Sequence, residues 1–570
     1  MMKSIESFWK NTLTEAHQIR YGSAKCWEGI ALGERLLLDC TLRDGGYVNN
    51  WEFGYDQIVE IFNRLVSSGV EFIEVGFLDE SSTYDRGRTV LPDTASVNRM
   101  FEGIDKGRAC VLGMIDYGAC GIERLEPCDE TFLDGIRVIF KEAKMKEALA
   151  FCAEVKKLGY LVFAQMVSVT TYTDEKLVEY TKLVNEVMPY ATSMVDTYGL
   201  LDEEHLQHIY RILDENLDER IRVGYHAHNN FQLGYANAKY FLSLGAKRGL
   251  LADGTLYGMG KSAGNAPLEL LMMFRNEKQG ADYHVTQALE AIDNVIMEIY
   301  QKQYWGYNLF YYIASSMHCH PNYVSRLMNK RTLSVKQIRD ILKTLAPEKS
   351  LLYDEAYIER LYREYQSIEC DDQEALRILK EKLGERPLLL LGPARSMEKE
   401  RAKVKKFIEE KKPRVIAVNY APPTIEVDAI FMAKSKRYMQ LFSDLQHNVN
   451  RDKPIVATSN MTKSDGSFPY VLNYSSLIDR DAEIIDNALV MILKAILRME
   501  VPAVTLAGFD GYSKRSRNYF DENKEYRVDG SRAEYLNKYI GSFLRSIAGK
   551  IHIDFLTKTR YEWQAEDGEG

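Results

Sequence analysis

Between Leu36 and about Gly280 the sequence repeats one unit, an apolar run followed by an amphipathic run. The apolar runs are LLLDCTLRD, EFIEVGF, ACVLGMID, GIRVIFK, YLVFAQMVS, ATSMVDTYG, RVGYHAHNN and RGLLADGTL. They are nearly continuous in apolar residues, which is typical of parallel strands buried on both faces. The segments between them, such as DQIVEIFNRLVSSG, space their apolar residues three and four apart, which predicts helices.

Eight strand–helix units fit the size of a (β/α)8 barrel, roughly 250 residues. Alternation alone also fits a doubly wound open sheet, but the count of eight favours the barrel. We therefore predict an α/β fold with a TIM barrel over residues 36–280, preceded by an N-terminal arm at residues 1–35.

The pattern changes after the barrel. Residues 281–383 have helical spacing and predict a helical region that completes the active site, and KLGERP at Lys382–Pro387 has the composition of a linker. A second strand–helix series follows, with about six strands from LLLLG at Leu388 to IHIDFL at Ile551. This series predicts a C-terminal Rossmann-like open α/β domain over residues 387–570, which we expect to fold by itself.

Composition excludes several classes of protein. The net charge of −9 is spread without long basic or acidic runs, which gives no support to a nucleic-acid polymer as partner. None of the eight cysteines forms a C-x-x-C pair, so we expect no structural zinc site or disulfide framework. With no apolar run long enough for a membrane span, the expected location is the cytoplasm.

The ends of the predicted barrel strands carry the candidate chemistry, because barrel enzymes bind substrate there. His226 and His228 are two apart on the seventh strand, so their side chains share one face. Asp44 follows the first strand, and the first, eighth and seventh strands are contiguous in a closed barrel. One carboxylate and two imidazoles suit a divalent metal, although a hydrogen-bonded pair of core histidines is the alternative. Arg43 offers a fixed fork for a carboxylate or enolate oxygen.

Two further carboxylates, Glu74 and Asp196, come late in their strands. They either form hydrogen bonds inside the site, orienting Arg43 or the metal ligands, or have purely structural partners. Their position favours the first interpretation.

Five motifs in this order, DCTLRDGG, IEVGF, VDTYG, YHAHNN and YGMGKSAGNAPLE, resemble the DRE-TIM metallolyases over roughly residues 35–330. The resemblance implies that Asp44, His226 and His228 are metal ligands, that Asn265 coordinates or hydrogen-bonds near the metal, and that Arg43 steadies an enolate. It also implies Mn²⁺ or Mg²⁺ as the ion.

The last motif is most similar to that of the 4-hydroxy-2-oxoacid aldolases, which include 4-hydroxy-2-oxovalerate aldolase. This implies a metal-dependent carbon–carbon lyase whose partners are a small 2-oxo acid such as pyruvate and an aldehyde, with a homo-oligomer as a further option. The loop after the eighth strand lacks the catalytic cysteine of hydroxymethylglutaryl-CoA lyases, and RDGGY replaces the RDGEQ of acetyl-CoA-using synthases. An acyl-CoA-dependent 2-oxo acid synthase and a non-catalytic scaffold stay open as alternatives.

Tyr47 stands where the similar aldolases have a histidine as general base. A phenol with a pKa of about 10 is a poor base at neutral pH without help from its surroundings. His318 and His320 are other candidates for the base, with surface or capping histidines as the alternative. Tyr311 and Tyr312 fall where the aldolases have an active-site tyrosine.

In the C-terminal domain, GPARS places a glycine and a serine between the first strand and a helix, where the helix N-terminus could hold a phosphate. VNYAPP, ATSN and AGFDGY end later strands, where open α/β sheets bind ligands. Nucleotide or nucleotide-sugar binding and a non-catalytic docking role are the two open interpretations.

Overall fold

The computed structural model describes residues 33–561 except 331–332, 368, 435–436, 439–440, 442–444, 446–447, 462–467, 481, 483, 514–517 and 520–529. Nearly all of the predicted N-terminal arm, residues 1–35, lies outside the described residues. The chain divides into two compact units, residues 1–321 and 322–570. This division falls inside the predicted helical region, residues 281–383. The limits of the four predicted segments stay predictions.

The first unit contains a closed barrel of eight parallel strands, which confirms the predicted (β/α)8 fold. The strands are β1 (Arg35–Asp39), β2 (Phe72–Leu78), β4 (Cys110–Asp116), β5 (Gly135–Phe140), β6 (Leu161–Met166), β7 (Ala191–Asp196), β8 (Arg222–Ala227) and β9 (Leu250–Gly254). Each pairs with the next, and β1 pairs with both β2 and β9, which closes the ring. A two-residue strand, β3 (Val90–Leu91), pairs with β2 outside the ring.

Helices follow the strands and cover the barrel. They are α1 (Tyr55–Ser68), α2 (Thr94–Met100), α3 (Met145–Lys157), α4 (Asp174–Val187), α5 (Glu203–Asn216), α6 (Gly234–Leu242) and α7 (Leu268–Gln279). Their apolar residues recur at helical spacing, as in α1, where Ile58, Ile61, Phe62 and Leu65 are fully buried.

The inner face of the barrel changes from apolar to charged along the strands. Phe72, Phe163 and Leu251 belong to an apolar layer inside the barrel. Two residues further along the same strands are Glu74, Gln165 and Asp253, all buried. Because side chains alternate faces, each pair lies on the same side of its strand. The barrel is therefore filled by hydrocarbon in its lower part and by polar groups toward the carboxyl ends.

The described residues between the barrel and residue 387 form helices and no strand, as predicted. These are α8 (Val285–Ala291), a π-helical turn at Ile292–Ile296, α9 (Met297–Lys302), α10 (Leu309–Ser316), α11 (Pro321–Asn329), α12 (Val335–Leu342), α13 (Pro347–Ser350), α14 (Glu355–Gln366) and α15 (Gln373–Leu383). Leu376, Leu379 and Leu383 of α15 pack into the core of the second sheet. The KLGERP segment thus contains the last two residues of α15 and a short turn into the next strand, whose Leu388 belongs to the same core.

The second unit has a parallel sheet of seven strands in the order β14-β13-β12-β11-β10-β15-β16. They are β10 (Leu388–Leu391), β11 (Arg414–Val418), β12 (Ala429–Met432), β13 (Ile455–Thr458), β14 (Tyr470–Leu472), β15 (Ala503–Ala507) and β16 (His552–Phe555). The sequence predicted six of these; β14 was missed because a three-residue edge strand carries too short an apolar run to be recognised.

The helices of this sheet are α16 (Ser396–Lys399), α17 (Arg401–Lys411), α18 (Tyr474–Leu477), α19 (Ala488–Arg498) and α20 (Gly530–Ile547). In the part of the chain that the structure describes, no helix is both long enough and apolar enough to cross a membrane.

Candidate active site

The two histidines of YHAHNN lie together at the carboxyl end of β8. His226 is the penultimate residue of the strand and His228 follows it, and their ring centroids are 5.1 Å apart. Both rings are buried, and Nδ1 of His226 is 2.9 Å from Oδ2 of Asp253. The structure thus places both imidazoles on one side of the strand, as the two-residue spacing predicted.

Asp44 reaches the histidines across β9. Its Oδ2 lies 3.6 Å from Nε2 of His226, and one ligand atom from each of Asp44, His226 and His228 falls within 4.8 Å of the other two. The three residues come together because β1 and β8 are the two neighbours of β9 in the closed sheet.

The loop after β9 fixes the other oxygen of Asp44. Its Oδ1 accepts hydrogen bonds from Nδ2 of Asn265, at 2.8 Å, and from the backbone N–H of Lys261, at 3.1 Å. A Cβ at Gly260 would lie 2.7 Å from the same oxygen, so only glycine lets the loop approach this closely. Asn265 therefore contacts the Asp44 carboxylate through its amide nitrogen.

A closed ring of charge contacts surrounds the cluster. Nη1 and Nε of Arg43 donate to Asp44 at 2.5 Å and to Glu74 at 2.7 Å. Arg137 donates to Glu74 at 3.2 Å and to Asp253 at 2.6 Å, and Asp253 contacts His226. All are buried, so each charge depends on its neighbours for stabilisation. Glu74 thus orients Arg43, in line with the first of its two predicted roles.

Arg137 and Asp253 were not recognised in the sequence as site residues. Arg137 is a fully buried arginine in the middle of GIRVIFK, and Asp253 a buried aspartate in LLADGTL. A charged residue inside an otherwise apolar strand is the signal that could have identified them, because such a residue is almost never buried without a partner.

The protonation states fit a cation site. Burial opposes charge on Asp44, but Arg43 and the two histidines outweigh it and hold the pKa of Asp44 well below its usual range. Burial lowers the pKa of His228 to about 3, so its imidazole is neutral and can offer a lone pair. For His226, hydrogen bonds with Asp253 and Asp44 outweigh burial and raise the pKa. Because metals bind the neutral imidazole, a divalent ion beside Asp44 would compete with protonation of His226.

Unpartnered atoms support the same conclusion. Nδ1 of His228 and Oδ1 of Asn265 are buried and have no hydrogen-bond partner among the described residues. With His226 neutral, the ring holds three carboxylates against two guanidinium groups, an excess of one negative charge. Both features fit a bound cation, so the residues present suit a divalent metal.

A second cluster, Cys40 with His226 and Asp253, also has the spacing of a metal site. Burial raises the pKa of the Cys40 thiol well above its ordinary value, and the thiolate is the form that binds metals. In addition, Oδ2 of Asp253, the oxygen that contacts His226, already accepts a hydrogen bond from Arg137. The cluster around Asp44 is the better candidate.

Tyr47 lies on the rim of the barrel in an aromatic group. Its ring packs edge-on against Trp51 and Phe77, and Nζ of Lys261 is 5.1 Å from its centroid. Although the residue is 39% exposed, the surrounding protein and then the nearby Asp44 raise the pKa of Tyr47 to about 12. The phenol keeps its proton at neutral pH and can donate a hydrogen bond.

The two histidines after α10 differ in position. His318 is exposed. His320 is half-buried, and burial, followed by the charges of Lys261 and Lys141, lowers its pKa. Lys261, one of the two lysines whose charge acts on His320, also donates its backbone N–H to Asp44.

Three other residues considered from the sequence have side-chain contacts outside the charge ring. Asp196 accepts backbone N–H bonds from Leu200, at 2.9 Å, and Leu201, at 3.0 Å, so it holds the loop after β7. This contact fits the second of the two interpretations given for Asp196, a carboxylate with structural partners. The ring of Tyr312 contacts Phe231, and Tyr311 lies on the first turn of α10.

Comparison with known proteins identifies the barrel. The family model described as HMGL-like matches residues 35–296. The 4-hydroxy-2-oxovalerate aldolase of Moorella thermoacetica is 29% identical over 267 residues, 46% of this chain and 77% of that protein. The aldolase of the same name from Chloroflexus aggregans is 31% identical over 247 residues, covering 41% and 67%. The oxaloacetate decarboxylase of Mycobacterium tuberculosis is 26% identical over 242 residues, covering 42% and 69%.

These similarities confirm the predicted class of enzyme, a carbon–carbon lyase related to the aldolases. The matched residues include the whole barrel and its charge ring. The chain belongs to the HMGL-like family.

Proposed function

We propose that the barrel is a divalent-metal-dependent aldolase that cleaves or forms a 4-hydroxy-2-oxo acid, with pyruvate and an aldehyde as the two fragments. One observation carries the proposal: Asp44, His226 and His228 converge beside an arginine whose position is fixed by two carboxylates. The names of the two aldolase relatives point to the same substrate class.

Asp44, His226 and His228 would hold the ion, and Asn265 would either bind it through Oδ1 or orient Asp44. We infer Mn²⁺ or Mg²⁺ from the family resemblance and the mixed oxygen and nitrogen donors. A bound ion would act as a Lewis acid on the keto group of the substrate. Asp253 would accept a hydrogen bond from Nδ1–H of His226 and so keep the Nε2 lone pair directed toward Asp44.

Arg43 would stabilise the negative charge that develops on the enolate oxygen when the C3–C4 bond breaks. Two of its nitrogens are occupied by Asp44 and Glu74, which leaves Nη2 for a substrate oxygen. Glu74 and Arg137 would act as positioning residues. Glu74 accepts a hydrogen bond from Arg43, and Arg137 holds Glu74 in place, so neither residue would need to touch the substrate.

Cleavage also needs a base for the C4 hydroxyl proton. We favour His320 over Tyr47, because the lowered pKa of His320 keeps the imidazole neutral whereas the phenol of Tyr47 keeps its proton. Tyr47 would instead donate a hydrogen bond. The electron pair of the C3–C4 bond passes to the enolate, the aldehyde leaves, and a proton at C3 completes pyruvate.

The test is pyruvate release from a panel of 4-hydroxy-2-oxo acids by protein loaded with Mn²⁺ or Mg²⁺. We expect release that depends on the ion and falls by roughly 10²–10⁴-fold in His320→Ala, the range for loss of a general base. His318→Ala is the matched control and should retain activity. Loss in both variants, or in neither, would count against His320. Free thiol release from acetyl-CoA would instead favour the acyl-CoA-dependent synthase.

We also infer that the second unit is a Rossmann-like domain. Its first strand, β10, lies inside the sheet, with β11 to β14 on one side and β15 and β16 on the other. This order reverses direction beside the first strand, as in doubly wound nucleotide-binding sheets. It supports the nucleotide-binding interpretation more than the docking one.

A further inference from the structure

Beyond the charge ring, toward the carboxyl ends of the strands, the barrel mouth carries cations that the proposed chemistry does not use. On β5, Arg137 of the ring is buried, Ile139 is half-buried and Lys141, the residue after the strand, is exposed. The backbone of Lys141 is still extended, with φ of −85° and ψ of 156°. Side chains of an extended chain alternate faces, so Lys141 lies on the same side as Arg137, whose guanidinium contacts Asp253 across the barrel. Lys141 therefore faces the mouth.

An acidic residue lies beside Lys141 on the neighbouring strand. Asp116 is the last residue of β4 and is exposed. The register of β4 and β5 pairs Asp116 with Ile139, so Asp116 lies on the inward side of its strand. The surrounding protein raises the pKa of Asp116, and the charges of Lys141 and Lys261 oppose that rise. One carboxylate thus interacts with both lysines.

Lys261 lies in the loop after β9, which is opposite β5 in the ring of eight strands. Its backbone N–H donates to Asp44, at 3.1 Å, whereas its side chain is exposed and Nζ lies 5.1 Å from the centroid of the Tyr47 ring. The Tyr47 ring packs against Phe77, whose ring centroid is 5.7 Å from the guanidinium carbon of Arg43. The side chain of Lys261 is thus connected to Arg43 through two aromatic rings at the mouth.

The charges of these three residues do not cancel. Among the described residues, neither Lys141 nor Lys261 forms an ion pair with a carboxylate. Asp116 can offset one of the two positive charges. Asp44 also acts on Lys261, but its carboxylate already contacts Arg43. Lys141, Lys261 and Asp116 together therefore have a surplus of one positive charge, which attracts a group with one negative charge.

A 4-hydroxy-2-oxo acid has two ends, and the charge ring accounts for one of them. Its carboxylate and keto group belong with Arg43 and the proposed ion, so the group carried by C4 is left to face the mouth. The charges of Lys261 and Lys141 also act on His320, the base proposed for the C4 hydroxyl. A single carboxylate on the C4 side matches the surplus charge, whereas a phosphate, with about two negative charges, exceeds it.

We propose that Lys141 and Lys261 bind a carboxylate on the C4 side of the substrate. The substrate is then a 4-hydroxy-2-oxo dicarboxylic acid, and the second fragment is an aldehyde that bears a carboxylate. Lysine suits this task because its ammonium group is a point charge on a flexible stem. The inference rests on the proposed aldolase function and deepens it by naming the class of aldehyde.

The experiment measures binding of 2-oxo acids that lack the C4 hydroxyl and so cannot be cleaved. Calorimetry on the full-length protein with Mn²⁺ compares 2-oxoglutarate with 2-oxopentanoate, and 2-oxoadipate with 2-oxohexanoate. We expect at least one dicarboxylate to bind about fivefold or more tightly than the monocarboxylate of equal length, on the order of one partly exposed ion pair. Equal binding within both pairs would overturn this inference and leave the aldolase proposal standing. Binding of none of the four acids would contradict both.

Variants then locate the carboxylate. Lys141→Met combined with Lys261→Met keeps the backbone N–H that donates to Asp44 and should lower the affinity ratio within each pair to about one. Binding of the monocarboxylate by this variant shows that its site is folded. Asp116→Asn should raise the ratio, because it removes an acid that competes for the same lysines. Lys144→Met, which changes an exposed lysine paired with Glu147, is the matched control and should keep the parent ratio. A parent ratio in the double lysine variant, or no rise in Asp116→Asn, would contradict the proposal.

Discussion

The carboxyl ends of the two parallel sheets are organised differently. In the barrel, closure directs the ends of β1, β2, β5, β8 and β9 toward one centre, and residues from all five complete one ring of charge contacts. In the open sheet, the residues that share a cavity come from strands around the β10–β15 reversal, and their cations outnumber the single acid. Closure brings buried charges of both signs into mutual contact inside the barrel, with one surplus negative charge when His226 is neutral, whereas the described lining of the open-sheet cavity has four cationic side chains and one acidic one.

The largest expected effect is loss of the proposed metal ion from a double variant of its histidine ligands. His226→Ala with His228→Ala should abolish binding of about one Mn²⁺ per chain, because two of the three ligands are lost. Metal content after dialysis is the measurement. His205→Ala with His208→Ala changes two exposed histidines on α5 and serves as the control, which should keep its ion. Equal metal content in the two double variants would end the metal-site proposal.

The next effect tests whether the buried charges of the ring stabilise one another. Arg137→Met should destabilise the protein by ~3–5 kcal/mol, because it leaves Glu74 and Asp253 buried without their shared cation. The free energy of unfolding is measured by urea denaturation. Arg64→Met, which removes a surface pair with Glu60, should leave stability unchanged. A stable Arg137→Met protein would show that the barrel charges are not coupled.

A smaller effect is a pH dependence from Asp39, the buried last residue of β1. Burial raises its pKa to about 7, against hydrogen bonds from Thr41. The folded state therefore keeps a proton that the unfolded state releases at lower pH, so this group makes stability fall as pH rises from about 4 to 7. Asp39→Asn should lose that contribution. We expect its melting temperature to fall less than that of the parent between pH 5 and pH 7.5, and parallel curves would contradict the assignment.

The smallest effect is expected at Tyr47. Because its pKa of about 12 excludes it as a base, Tyr47→Phe should lower the rate of pyruvate release by less than about tenfold, the loss of one hydrogen bond. Steady-state rates at neutral pH are the measurement. A loss comparable to that in His320→Ala would instead make the phenol, or a water it holds, part of the proton path.

The sequence was sufficient to predict the barrel and the convergence of three side chains at its mouth, since strand-end position and two-residue spacing bring Asp44, His226 and His228 together. It could not pair Arg137 of β5 with Asp253 of β9, because periodicity shows which face a side chain occupies but not its partner across the barrel. The same limit left two interpretations for Glu74 and Asp196, and the structure separates them into a contact with Arg43 and a loop contact. At Ser396, nothing in GPARS predicted that the backbone N–H and Oγ would both donate to the carboxylate of Asp510.

Exchange of the C3 protons of pyruvate with D₂O tests the central claim most directly, because it isolates enolisation from the unknown aldehyde. With Mn²⁺ present, the protein should catalyse exchange visible by proton NMR. Arg43→Lys should slow it by about 10²-fold or more, since a point charge cannot keep the forked contacts with Asp44 and Glu74 while facing the enolate oxygen. Absence of exchange in the metal-loaded parent would contradict pyruvate as the nucleophile, and exchange unaffected by Arg43→Lys would contradict the role of the charge ring.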